Sequence, residues 1–403
     1  VPERILVTAA RWWDGTSDAV QSGARILVCD GRIENVGCDA AASRGVPVLD
    51  LGERTILPGL IDCHVHLSEV ADTDLTDALS VRTLAALAPL RELLDAGFTT
   101  VRDLGGASQE PLAVHLRDAV AAGSIPGPRL LVAPHLISAS AGHGDRTSPA
   151  AGTTTLGAVA DGVDEVIRHV RNDARHRANW IKFAATGGLT SPSDAPDRPT
   201  YTQAELDALV GVATDLGLPC AAHAFSDEGI RRAVSAGVRS VEHACLATPD
   251  VLELLARSGV YLVPTMHVVD IFLEHLDNDD FWHDKVPESR EKLARHADNL
   301  RRHGQRVSAC TARVAFGTDA GMFPHADNWR EFPAMTSAGL TAHRALTSAT
   351  SIAADLLHRP DLGRIATGAT ADLIAVPSDP FQDIETLHHV DFVMCTGHIH
   401  REP

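Results

Sequence analysis

A regular alternation of short apolar segments with amphipathic stretches runs through the middle of this chain, and it restricts the fold more than any other feature. Candidate strands fall at 57–66, 98–104, 129–137, 180–185, 219–224, 240–245, 261–266 and 314–319, with helical patterns between most of them. The stretch 202–217 begins on Thr202, has Glu205 three residues on as the reciprocal capping partner, and stops at Gly217. Ser226 opens a second helical pattern that Gly237 closes. Eight strand–helix units over roughly 300 residues fit a (β/α)8 barrel with insertions. The competing doubly wound sheet lacks its Gly-rich phosphate loop here. Towards both ends the pattern changes to short strands and tight turns, in RILVTAARWWDG, ARILVCDGRI and VPVLDLGERTILP and again in ADLIAVPSDPF and DFVMCTGHIHR. The expected α/β architecture is therefore a (β/α)8 TIM barrel over 57–365 beside a small β-sandwich-like domain made of 1–56 and 366–403.

Two connections within the alternating region are long: 138–160, rich in Gly, Ser and Thr, and 267–300, which mixes apolar and charged residues and includes Trp282. Long connections in compact domains tend to be functional, and in a barrel the strand-to-helix connections form the mouth of the active site. Only 4% of residues are aromatic against 44% apolar overall, so aliphatic side chains must fill the core. The net charge of −18 argues against nucleic acid or an anionic membrane as partner, since both demand basic patches. The seven cysteines form no CxxC pair and are odd in number, which favours reduced thiols over a disulfide framework. The opening VPERILVTAA reads as a strand rather than a signal peptide, and no apolar run is long enough to span a bilayer. These features together suit a cytoplasmic enzyme.

The chemistry-bearing residues sit at the ends of the candidate strands. His64 and His66, in LPGLIDCHVHL, lie two apart, so strand geometry sends both rings to one face, where they can share a metal ion. Lys182 lies within the apolar run Trp180 to Ala185. A buried ammonium is costly to desolvate. Either the amine reaches out and caps a carbonyl, or desolvation and nearby metals lower its pKa and the neutral amine adds CO2, giving a two-oxygen anion able to bridge two cations. His223 and His243 each end a strand, in LPCAAHAF and RSVEHACL, and Asp319 ends the last, in RVAFGTDAG. Asp319 can form an Asx turn, or it can ligate a metal and accept a proton from a metal-bound water.

The ordered set HVH, IKF, AHA, VEH and GTDAG resembles the amidohydrolase superfamily, and TILPGLIDCHVHL, TTVRDLGG and LGRIATGATADLIAVPSDPF extend the resemblance over essentially the whole chain. The binuclear branch with Xaa-Pro dipeptidases and imidazolonepropionase-like hydrolases is the most similar. The resemblance implies that His64, His66 and Asp319 hold one divalent metal and His223 and His243 a second. N-carboxylated Lys182 and a hydroxide would bridge them, with zinc the expected ion and manganese or cobalt as substitutes. It further implies that His143, in SAGHGD, faces the substrate carbonyl together with the second metal, and that His325, in GMFPHADN, lies near the substrate. One departure stands out. The dipeptidase-like members commonly carry His-Ala-Tyr where this chain has His223, Ala224 and Phe225. The missing phenol argues against dipeptidase activity, and Phe225 is expected to border the pocket.

The function expected is hydrolysis of an amide-like C–N bond in a small molecule by a metal-bridging hydroxide, with Asp319 as proton shuttle. An Xaa-Pro dipeptide, a carbamate or urea, and an ester or lactone remain alternative substrates. A mononuclear deaminase, which would not need Lys182, and a non-catalytic binding relative are the rival classes. Family members often assemble, so a homo-oligomer is an open expectation.

Overall fold

The computed structural model describes residues 4–38, 44–69, 77–106, 110–145, 158–283 and 285–403. The two ends of the chain build one mixed sheet of eight strands. Its order is His398–Arg401, Phe392–Cys395, Leu373–Val376, Thr55–Pro58, Arg4–Trp12, Gln21–Cys29 and Arg32–Val36, with Val48–Asp50 also paired to Arg4–Trp12. The C-terminal part joins the N-terminal part where Leu373–Val376 runs antiparallel to Thr55–Pro58. Alternation along the strands puts Ala24, Ile26 and Val28 into a core shared with Ile56, Leu373, Ala375, Phe392 and Met394. The sheet is continuous, so the sandwich-like layering expected from the termini takes the form of a single mixed sheet.

The middle of the chain forms two parallel sheets. One contains Leu60–Val65, Phe98–Asp103 and Arg129–Val132. The other contains Ala158–Val159, Leu136–Ser138, Ile181–Ala184, Cys220–Ala224, Ser240–His243 and Tyr261–Val263. Every residue of Leu60–Val65, Ile181–Ala184, Cys220–Ala224 and Ser240–His243 is buried, which is why these strands read as apolar runs and not as alternations. The main-chain N–H groups of Asn179 and Trp180 donate to Val132 O, tying the two sheets together at one side.

Three expected elements differ. The strand expected at 57–66 breaks at Gly59, where an added Cβ would lie 2.2 Å from Thr99 Oγ1, so only glycine allows this close approach. The segment 314–319 is not a regular strand. It makes isolated bridges, Leu262 to Val314 and Val65 to Ala320, and its main chain hydrogen-bonds on both sides, Ala315 N to Leu262 O and Asp319 N to His64 O. The segment 267–300 is largely helical, as Met266–Glu274, Asp279–Trp282 and Pro287–Arg301. Val268, Val269, Phe272, Trp282, Leu293 and Leu300 anchor it to the main core, and the Phe272 and Trp282 rings stack at 5.9 Å. Of the other long connection, 146–157 lie outside the described residues.

The helix Gln203–Asp215 has the full capping box between Thr202 and Glu205, and Gly237 closes Asp227–Ala236 at φ 97°. All seven cysteines are free thiols. Among the described residues no helix is long and apolar enough to cross a membrane.

Candidate metal centre

His64 and His66 project from the end of the strand Leu60–Val65 towards Asp319. Their Nε2 atoms lie 3.2 and 3.1 Å from the same Asp319 Oδ1, and one donor atom from each residue falls within 4.8 Å of the others. His64 Nε2 is buried, and its approach to Asp319 is an ion-pair contact and not a formed hydrogen bond among the described residues. Burial alone would raise the Asp319 carboxyl, but the His64 and His66 rings outweigh it and hold the carboxyl well below its usual range. Burial would likewise lower His66, and the Asp319 carboxylate lifts it instead, to about 9.

Lys182 is buried at 1% exposure, and its Nζ also lacks a partner among the described residues, so the amine does not cap a carbonyl there. Burial pulls it down to about 8. His223 and His243 are held well below the ordinary imidazole value by burial, which keeps them neutral, the form that can ligate. Their rings lie 4.7 Å apart, and His243 is 4.9 Å from His64. His64, His66, Lys182, His223, His243 and Asp319 thus line one pocket.

Backbone strain accompanies this convergence. His243, Ala244, Thr265 and Asp319 all take left-handed φ values of 71°, 53°, 47° and 64°. Such conformations cost non-glycine residues about 1–3 kcal/mol each and persist where the surroundings over-determine them. Here Asp319 N donates to His64 O at 2.8 Å and Ala244 N to Ala224 O at 3.0 Å.

The ring nitrogens are sorted by their partners. Nδ1 of His64 meets Glu242 Oε2 at 2.9 Å, Nδ1 of His66 meets Gly105 O at 2.5 Å and Nδ1 of His243 meets Thr265 Oγ1 at 2.8 Å, which leaves Nε2 of each for a ligand. His223 is reversed: Nε2 lies 3.2 Å from Gly187 O, leaving Nδ1. Outer partners of this kind set ring orientation and tautomer at metal sites. Four oriented imidazoles, one carboxylate and an unpartnered amine form a donor set that fits divalent metal ions.

Sequence reasoning passed over the group that supports His64. Arg102 and Glu242 have fully buried side chains 3.0 Å apart. Arg102 also donates to Ser240 Oγ and Cys63 O and lies over the Trp180 ring. Burial would raise Glu242, yet Arg102 and His64 bring it down to about 2. The available signal was two opposite charges inside apolar strands, in TTVRD and SVEH. Removing one member leaves the other charge buried alone, so Arg102→Met should lose about 3–5 kcal/mol of stability. Urea unfolding of the variant tests this, and a loss under about 1 kcal/mol would contradict it.

His143 and Phe225 also line the pocket. The His143 ring stacks on His223 at 4.1 Å and 12°. Phe225 lies 5.0 Å from the His223 ring and 5.3 Å from that of His243. His325 does not reach the wall. It opens the short helix His325–Arg330, which turns its ring inward against the His66 backbone, where it is 3% exposed. The rest of the lining is mostly apolar, from Leu136, Leu189, Val268, Val269, Phe272 and Met322, with Glu69 and Thr190 as polar members.

The sequence model of the amidohydrolase family matches residues 55–400. An ochratoxinase from Aspergillus niger is 31% identical over 398 residues, covering 90% of this chain and 79% of that protein. Among solved structures, a Xaa-Pro dipeptidase with methionine bound in its active site aligns with TM-score 0.91 at 33% identity, covering 99% of this chain and 100% of the other. The A. niger ochratoxinase structure aligns with TM-score 0.85 at 28% identity, covering 100% and 96%.

Proposed function

The chain belongs to the amidohydrolase family and is a metal-dependent hydrolase, and from this premise we propose that it cleaves the amide bond of a small molecule bearing an apolar or aromatic acyl group. The single observation that carries the reading is the meeting of His64, His66, Lys182, His223, His243 and Asp319 in one pocket, with the Lys182 amine buried and unpartnered. The main-chain links from 314–320 to both neighbouring strands, and from Val132 to 179–180, support reading the parallel sheets as a closed (β/α)8 barrel with this site at its C-terminal face.

His64, His66 and Asp319 would hold one divalent ion, and His223 and His243 a second. Lys182, N-carboxylated, would reach both. CO2 adds to its neutral amine, an N–C bond forms and one proton leaves. When bound, the metals, zinc by preference, supply a Lewis acid for the carbonyl and a lowered pKa for the attacking water. Asp319, held anionic, accepts the proton from that water and returns it to the leaving nitrogen. His143, stacked on His223, faces the carbonyl oxygen. Phe225 and the aliphatic wall exclude water and select the acyl group. With a net charge of −18 and seven free thiols, the protein suits a small-molecule partner and a reducing, cytoplasmic compartment.

A second reading, Xaa-Pro dipeptidase, is favoured by Glu69, whose carboxylate on the pocket wall suits a substrate ammonium. Metal-loaded protein should hydrolyse N-benzoyl-L-phenylalanine faster than methionyl-proline. Phe225→Tyr should slow the first and speed the second, because the added hydroxyl crowds an apolar acyl group and supplies a donor to a dipeptide. Faster cleavage of methionyl-proline by the unaltered enzyme would establish the dipeptidase reading instead.

A further inference from the structure

Lys292 lies on the helix Pro287–Arg301, in the inserted helical segment, yet its side chain is only 9% exposed. A buried ammonium is tolerated only when its donors are satisfied. Among the described residues its hydrogen-bond partners all lie in one short segment after the strand Ile181–Ala184: Asp194 Oδ1 at 2.6 Å, Ser191 O at 2.6 Å and Gly188 O at 3.1 Å. That segment touches His143. Ser191 Oγ lies 2.6 Å from Asp194 Oδ1 and 3.1 Å from His143 Nδ1, and Asp194 Oδ2 accepts from Gly188 N at 3.0 Å.

The order of protons follows from the chemistry. The Asp194 carboxylate, paired with the Lys292 ammonium, can only accept. The Ser191 hydroxyl therefore donates to Asp194, and its oxygen accepts from His143 Nδ1–H. Nε2 is then the nitrogen that meets substrate, donating in the imidazolium and accepting in the neutral ring. Packing enforces the same orientation. A Cβ on Gly188 would lie 2.1 Å from His143 Nδ1, so the ring sits directly against backbone on that side. The ring of His223 covers another side at 4.1 Å.

We propose that Lys292, Asp194 and Ser191 are positioning residues for His143, fixing its ring orientation and the proton on Nδ1. The inserted helices thereby hold the imidazole through Lys292 and supply the apolar wall through Val268, Val269 and Phe272. The inference rests on the reading of His143 as a substrate-facing group.

The test uses metal-loaded full-length protein and the variants Ser191→Ala, Ser191→Thr, Lys292→Met and His143→Ala. Ser191→Ala removes a single oxygen and keeps the test informative if Lys292→Met does not fold. In histidine-selectively 15N-labelled protein, the His143 signal, identified by its loss in His143→Ala, should show a proton on Nδ1. That proton should be lost or exchange rapidly in Ser191→Ala and persist in Ser191→Thr. No substrate is needed for this readout. With N-benzoyl-L-phenylalanine, Ser191→Ala should lower kcat by about tenfold at nearly constant KM and unchanged metal content, and should add nothing in the His143→Ala background. An Nδ1 without a proton in the unaltered protein, or a proton unaffected by Ser191→Ala, overturns the proposal. If His143→Ala is impaired and Ser191→Ala still multiplies the loss, the positioning inference alone fails. If His143→Ala turns over normally, the reading of His143 fails and takes this inference with it.

Discussion

Lys182→Ala should lose most of the activity, with a fall of at least about 100-fold. Even residues that only hydrogen-bond to metal ligands are worth about 10–100-fold, and in the proposed centre carboxylated Lys182 would itself be a ligand. The amine lies at 1% exposure with no hydrogen-bond partner among the described residues, a condition that a buried ammonium cannot sustain cheaply. Conversion to a carbamate would resolve this, because in the proposed centre it replaces a buried cation by an anion beside two cations. Alanine removes the bridge and leaves a gap of matching shape. Acetate, formate or bicarbonate should fill that gap and restore part of the rate, in a concentration-dependent way. A variant that keeps normal turnover, or an electron-density map with a plain ammonium beside two metals, would contradict the carbamate.

Asp319→Asn isolates a different contribution. The amide keeps an oxygen that can ligate, so part of the metal should stay, but it cannot accept the proton of the attacking water. General acid–base assistance is typically worth ~10²–10⁴-fold, and kcat should fall by that order. The effect should fall on kcat far more than on KM, since the interaction is made in the transition state. Normal turnover by Asp319→Asn would assign the shuttle elsewhere. His325 would not inherit it, because its ring lies behind His66 and off the pocket wall.

The alternation of apolar and amphipathic stretches made the α/β middle and the β character of both termini legible, though not their union in a single mixed sheet, because burial on both faces leaves an unbroken apolar run while exposure on one face leaves alternation. Histidines at successive strand ends stood out for another reason: one alone is more often a hydrogen-bonded structural residue, but two in succession beside HVH and a lysine inside an apolar run are hard to read as structure. The geometry of 314–319 was not legible. Its apolar run looks like any strand, yet it makes only isolated bridges among the described residues, and at Gly317 an added Cβ would lie 2.3 Å from Val263 Cγ1. The helices of 267–300 were hidden by their mixture of charged and apolar residues, although Pro287 stands at a helix start. Partnerships across long sequence distances left the faintest trace. Arg102 with Glu242, and Lys292 with Asp194, each join charges that only the tertiary fold brings together. His325 shows the opposite limit, since proximity in sequence to Asp319 did not bring its ring to the pocket.

The number of metal ions per chain tests the central claim most directly. Protein produced in zinc-supplemented medium and freed of loosely bound metal should contain two divalent ions per chain by elemental analysis, with activity rising in step with the second. A firm ratio of one at full activity would contradict the binuclear centre and favour a mononuclear hydrolase that does not use Lys182.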